Sequence, residues 1–201
     1  MIGNNKNILI LSPHTDDAEL GAGGTIARFV DEGHNIKVMA YANCDEGPID
    51  RFYKSMDILG VSDFEFLNYE RRTLPDNRKE ILDSLYKLNK QTSFDLVIIP
   101  STADIHQDHQ VVTQETIRTF RSSTILGYEF PWNNEVFRSN CFINLAPEHI
   151  ERKLKAIEFY ESQSNKRFFS KKVQYARAMV RALNINTDLA EAFELIKLVI
   201  K

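Results

Sequence analysis

Two short segments of this 201-residue chain carry side chains that could do chemistry together. The first, Pro13-His14-Thr15-Asp16-Asp17, sets an imidazole and two carboxylates within four residues, between an apolar run and a helical pattern. His14 and Asp17, three apart on such a strand-to-helix turn, can point at one ion. A nitrogen and an oxygen donor suit zinc, and also iron, nickel or cobalt. Asp16 then points toward the space above the metal, where a carboxylate can take a proton from bound water. The plainer use of these residues is helix capping, since Asp and Thr satisfy free N–H groups at a helix start and suit its dipole.

The second segment, Asp104-Ile105-His106-Gln107-Asp108-His109, places two histidines three apart with acids on either side. They share one side if a helix begins here. His34, in an EGHN turn, and His149, near a helix start, read as ordinary surface or core histidines. Three protein ligands with water in the fourth position make the catalytic zinc pattern rather than the structural one. His14, Asp17 and one histidine of the pair would complete it, and the spacing leaves open which one.

The elements around these segments explain how they meet. Asn7–Ser12 is a buried first strand stopped by Pro13, and Phe94–Pro100 is a strongly apolar strand ending at a proline. Ile36–Tyr41, Phe64–Leu67, Ile125–Tyr128 and Cys141–Leu145 read as further strands. Helical spacing runs through TIARFVDEG to a stop at Gly33, through Arg51–Leu59 to Gly60, and along Arg78–Lys90. It recurs in Gln110–Phe120, Pro147–Glu161, Lys171–Leu183 and a last helix over Asp188–Ile200. Strands alternating with helices predict βαβ units and a mostly parallel sheet covered on both faces. Sites in such sheets lie beyond the carboxyl ends of the strands, where both segments fall.

Composition excludes other classes. The chain is 43% hydrophobic and 26% charged, so it is an ordinary globular sequence, and its length favours one domain over residues 1–201. A net charge of -3 leaves no basic footprint for nucleic acid. Cys44 and Cys141 form no metal knuckle or disulfide framework. No 18-residue apolar run predicts membrane insertion, and Met1–Lys6 is not a secretory signal, so the expected location is cytoplasmic. Gly21, Gly23 and Gly24 lack the register of a dinucleotide-binding turn, and no phosphate loop is present. They read as close helix–strand packing beneath the site.

The segments ILILS, PHTDDAELGAGGTIARF and DIHQDH resemble the PIG-L/LmbE-like family of zinc-dependent N-acetylglucosamine deacetylases. RFYKSMDILGV, FDLVIIP, YEFPW, KLKAIEFYESQ and LAEAFELI extend the likeness from Asn7 to Glu194. The resemblance implies a Rossmann-like three-layer α/β sandwich with a mostly parallel sheet flanked by helices. It implies His14, Asp17 and His109 as metal ligands, Asp16 as general base, His106 as stabiliser of the tetrahedral intermediate and Asp108 as its orienting partner. Thr15 stands where the family commonly has proline, at a position that supplies no ligand. Arg51 matches an arginine that holds the sugar, although Lys54 stands where an acid often follows.

The expected reaction is hydrolysis of the acetamide of an N-acetylglucosamine-type sugar. Zinc, or Fe2+ or another divalent ion, would bring the pKa of bound water from about 15.7 toward about 7. Asp16 takes the proton, and a protonated His106, kept charged by Asp108, balances the oxyanion. The partner is a small acetylated amino sugar; a homo-oligomer is left open. Hydrolysis of another small amide and non-catalytic metal or sugar binding are the alternatives. Trp132 can line a sugar cleft or simply fill the core. Tyr128 and Glu129, at a strand end, can face the site. KRFFSKK (Lys166–Lys172) reads as a solvated helix start or as a contact for an anionic substrate.

Overall fold

The computed structural model describes residues 5–160 and 166–200. Its elements run β1 (Asn7–His14), α1 (Asp17–Asp31), β2 (Asn35–Ala42), α2 (Asp50–Leu59), β3 (Asp63–Tyr69), α3 (Arg78–Gln91) and β4 (Leu96–Pro100). They continue with α4 (Gln107–Thr119), β5 (Thr124–Tyr128), β6 (Cys141–Asn144), α5 (Pro147–Glu158), α6 (Lys171–Ala182) and β7 (Ala190–Lys197). One seven-stranded sheet has the order β3-β2-β1-β4-β5-β7-β6. Strands β1 to β5 pair in parallel, and β7 is antiparallel to both β5 and β6.

The expected mostly parallel sandwich is therefore the fold. Strand β1 shows why its sequence is apolar at nearly every position: alternate residues serve two cores. Ile8 and Ile10 pack with Leu20, Ile26, Met56 and Ile150 of α1, α2 and α5. Leu9 and Leu11 pack with Ile81, Leu85 and Val112 of α3 and α4. Each such fully buried side chain contributes roughly 1.5–3 kcal/mol. Connections leave β1 toward β2 on one side, and the chain returns to β4 on the other. The carboxyl ends of β1 and β4 thus flank the switch point of the sheet, where doubly wound folds open a crevice.

The expected helix over Asp188–Ile200 does not form. Ala190–Lys197 is strand β7, inserted between β5 and β6. Alanine, glutamate, leucine and lysine are strong helix formers, but the open edge of β5 outweighs that local preference. Alternation then serves both faces: Phe193 and Leu195 join one core and Ile196 the other. Glu191 and Glu194, which would be solvated on a helix, are buried acceptors. Glu191 takes the N–H groups of Gly24 (3.2 Å) and Thr25 (2.7 Å) and the Lys153 ammonium (2.6 Å). Glu194 takes the Ser101 hydroxyl (2.8 Å) and the Thr102 N–H (2.8 Å), and so fixes the loop that follows β4.

Two boundaries also shift. Helix α1 begins at Asp17, so the three glycines lie inside it, and α4 begins at Gln107 rather than Gln110. The predicted end of α5 at Glu161 lies outside the described residues. Gly21 does provide the close approach expected of it: an added Cβ would lie 2.5 Å from the Tyr128 ring of β5. That ring cannot swing aside cheaply, because its hydroxyl donates to Leu11 O at 3.1 Å. Gly21→Ala should lower unfolding stability by about 1–3 kcal/mol, read as a lower urea midpoint with an unchanged slope.

Candidate metal centre and active-site cleft

Helix α1 needs an N-terminal cap, and Ser12 supplies it: its hydroxyl accepts the Ala18 N–H at 2.9 Å. Asp16 occupies the N-cap position but makes no side-chain capping bond. Its carboxylate is left facing the cleft, which removes the plainer capping explanation. Thr15 uses its N–H on Ala42 O at 3.0 Å, a bond proline could not make. Across the switch point, His106 caps α4 by accepting the Asp108 N–H on Nδ1 at 3.2 Å. His109 then falls in the first turn of α4, directed at β1.

Three donor atoms converge. His14 Nδ1 and His109 Nε2 each stand 3.1 Å from Asp17 Oδ2, and 3.2 Å from one another. Donors bound at about 2.0–2.1 Å on three corners of a tetrahedron sit about 3.3 Å apart. The donor set therefore fits a first-row divalent ion in chemistry and in spacing. His106 belongs to a wider group, since one ligand atom from each of His14, His106 and His109 lies within 4.8 Å of the others.

Each imidazole of the triangle has its second nitrogen held by a buried carboxylate. His109 Nδ1 meets Asp104 Oδ2 at 2.7 Å, and His14 Nε2 meets Asp108 Oδ2 at 2.9 Å. Such carboxylate–imidazole pairs orient metal-binding histidines and raise their basicity. The expected contact of the Asp108 carboxylate with His106 is not formed. That carboxylate serves His14 and the N–H groups of Arg72 (2.7 Å) and Leu74 (3.3 Å), and Asp108 touches His106 through its backbone. Asp104, flagged only as a flanking acid in the sequence, is a positioning residue: it also accepts the His106 N–H at 2.8 Å. Asp104→Asn should weaken metal binding about 10–100-fold in a chelator competition titration, with the fold retained.

Charge in the site follows this geometry. Burial opposes charge on His14, but the Asp17 carboxylate and the bonds from Asp108 and Asp17 outweigh it and raise the imidazole to about 9. Burial is likewise outweighed at His109, where Asp17 and Asp104 raise it to about 10. Asp17 is buried, yet the two imidazoles hold it well below the usual carboxylate range. The triangle thus attracts positive charge, and a cation binding there displaces protons. Asp16 behaves oppositely: burial and then the neighbouring Asp17 charge push it up to about 7. His106 is drawn below its usual value by burial and by the charges of His109 and His14.

A cleft of about 220 Å³ opens above the triangle. His14, Asp16, Asp17, His106 and His109 line its floor, and Arg71, Arg72, Lys166, Trp132, Asn133 and Phe168 line its walls. A larger cavity of about 390 Å³ lies at the amino-terminal ends of the strands, away from every one of these groups. Trp132 is both readings at once: it stacks on Phe130 (4.8 Å) and Phe168 (4.1 Å), and it also lines the cleft. Arg51 does not line the cleft. Its guanidinium pairs with Asp45, donates to Pro48 O at 3.2 Å and lies 5.7 Å from the Tyr160 ring, closing the β2–α2 loop. Tyr128 faces the core, and Glu129 pairs with Arg181. The sequence reading missed Arg71 and Arg72; two arginines just past β3, at the functional end of a parallel sheet, were the available signal.

The PIG-L family model, described as GlcNAc-PI de-N-acetylase, matches residues 9–120, which include both site segments. The chain belongs to the PIG-L family. It is 32% identical over 169 residues to the uncharacterized deacetylase YaiS of Escherichia coli K12, covering 78% of this chain and 91% of that one. The N,N'-diacetylchitobiose deacetylase of Pyrococcus horikoshii superposes with a TM-score of 0.75 at 24% identity, over 94% of this chain and 83% of that one. The hydratase GalB of Pseudomonas putida KT2440 superposes with a TM-score of 0.82 at 17% identity, over 98% of both chains. At these identities the superpositions speak to the fold, and the PIG-L membership rests on the sequence matches. No helix among the described residues is long and apolar enough to cross a membrane.

Proposed function

We propose that this chain is a single-domain, metal-dependent N-deacetylase that hydrolyses the acetamide of an N-acetylglucosamine-type sugar. The observation that carries the reading is the triangle of His14 Nδ1, Asp17 Oδ2 and His109 Nε2, with a free carboxylate, Asp16, beside it. His14, Asp17 and His109 would hold the ion, zinc or ferrous iron. Bound there, it supplies a Lewis acid that polarises the acyl oxygen and acidifies water.

The remaining steps belong to the chain. Asp16 accepts the proton of the attacking water; it makes no capping bond and lines the cleft floor beside the three donors. His106 donates to the oxyanion from Nε2. Because its Nδ1 already accepts the Asp108 N–H, the neutral ring carries its proton on Nε2, so a donor is present without the protonated form. Asp108 and Asp104 fix the two ligand imidazoles. Trp132 and Phe168 give the cleft an apolar aromatic wall for one side of the sugar. Protonated Asp16 is then placed to return its proton to the leaving amine, releasing amino sugar and acetate.

The likeness to GalB favours keeping a second reading, because a shared fold does not fix the reaction. Another small amide could be hydrolysed at the same centre. Acetate release decides between them. Metal-stripped protein is reloaded with zinc or ferrous iron and offered the free sugar, a nucleotide sugar, a thiol-precursor glycoside and an oligosaccharide. Metal-dependent acetate from any of them supports the deacetylase, and no acetate from all of them, with metal bound, sinks it.

A further inference from the structure

We infer that the substrate carries an anionic group, phosphate or carboxylate, received at the cleft mouth by Arg71, Arg72 and Lys166. The inference rests on the deacetylase reading for the acetamide half of the substrate and extends it to the other half. All three cations line the cleft that holds the metal centre. Among the described residues none of them has a carboxylate within ion-pair distance, in a chain whose net charge is -3. Arg71 spends one Nη1 bond on Cys44 O at 2.5 Å. Lys166 lies 5.6 Å over the Phe168 ring, beside the aromatic wall that Trp132 continues.

The loop bearing the arginines is not a passive surface. Arg72 adopts a φ of 72°, in the left-handed region that favours glycine. Asp108, whose carboxylate also orients His14, accepts the Arg72 N–H at 2.7 Å, and Gln107 Nε2 donates to Arg72 O at 2.6 Å. Both peptide groups of this residue are thus pinned to the start of α4, beside His106 and His109. A strained residue held to the catalytic loop, and an arginine where glycine would be free of strain, together point to use of its side chain. Guanidinium groups bind phosphate and carboxylate in paired, charge-assisted hydrogen bonds.

The test separates charge from fold and from turnover. Binding is measured by calorimetry on metal-loaded Asp16→Asn protein with N-acetylglucosamine, its 1-phosphate, its 6-phosphate and its carboxymethyl glycoside. At least one anionic compound should bind about ten-fold or more tighter than the neutral sugar, with the advantage shrinking at high salt. Whether a phosphate or the carboxylate wins identifies the source of the charge. Arg72→Gly keeps the turn, because glycine adopts this φ freely, and should still reduce the ratio toward one. Arg71→Gln should act in the same direction. Equal affinity for neutral and anionic compounds, or an Arg72→Gly ratio equal to that of the parent, overturns the inference. Preferential anion binding without acetate release by the wild type would instead defeat the deacetylase reading and leave the anion site standing.

Discussion

Replacing Asp16 with asparagine should lower turnover about 10²–10⁴-fold while the protein still binds its metal. Asparagine keeps the shape of the side chain and is itself a good N-cap residue, so α1 has no reason to fray. What it loses is the capacity to take a proton. Single-turnover acetate release, with metal content measured on the same sample, checks the expectation. Full activity with metal bound would remove Asp16 from the chemistry. The same variant has a second readout in the metal-free protein. Burial and the Asp17 charge raise the Asp16 carboxyl from 3.8 to about 7. The folded protein therefore binds this proton more tightly than the unfolded chain. Its contribution is fully present below about pH 4 and is lost as pH rises through 7. Asparagine does not ionise, so metal-free Asp16→Asn should gain in melting temperature relative to wild type between those pH values, and keep that gain at pH 8.

His109→Ala should remove metal and activity together, the latter by at least about 10³-fold, because two donors rarely retain a divalent ion. The loss is sharper than for an ordinary surface histidine. His109 Nε2 forms two edges of the donor triangle, and its Nδ1 is the 2.7 Å partner of Asp104, a carboxylate only 2% exposed. Alanine leaves that carboxylate with the His106 N–H and a longer contact from Asn133, so some stability is lost as well. His106→Ala is the informative companion. Its ring lies outside the tight triangle, so metal should remain near one ion per chain while turnover falls. Loss of metal from His106→Ala, with retention in Asp17→Asn, would instead identify a three-histidine site.

The opposite outcomes at β1 and β7 show what each level of information carries. Strand β1 was legible because its apolar run, the proline stop and the His14–Asp17 spacing are local properties. Any chain that buries such a run between helices brings those two side chains to one turn. Likewise Asp104–His109 reads as a loop and helix start from its own residues, and meets the first segment because both follow neighbouring parallel strands. Strand β7 was not legible. Ala190–Lys197 favours a helix locally, and only the unfilled edge of β5, with Lys153 and the α1 N–H groups waiting for Glu191, makes it a strand.

Within the site the division is the same. Residue types and spacing were enough to nominate His14, Asp16, Asp17, His106, Asp108 and His109. Which ring nitrogen of each histidine faces the others, and that the Asp108 carboxylate holds His14, depended on contacts between elements 94 residues apart in the chain. Arg51 carried a motif position yet was drawn to Asp45 beside it. Arg71 and Arg72 carried none and reached the cleft because β3 ends there. Local spacing determines which side chains can share a turn. Packing of distant elements determines which atoms of those side chains are left free to face the substrate.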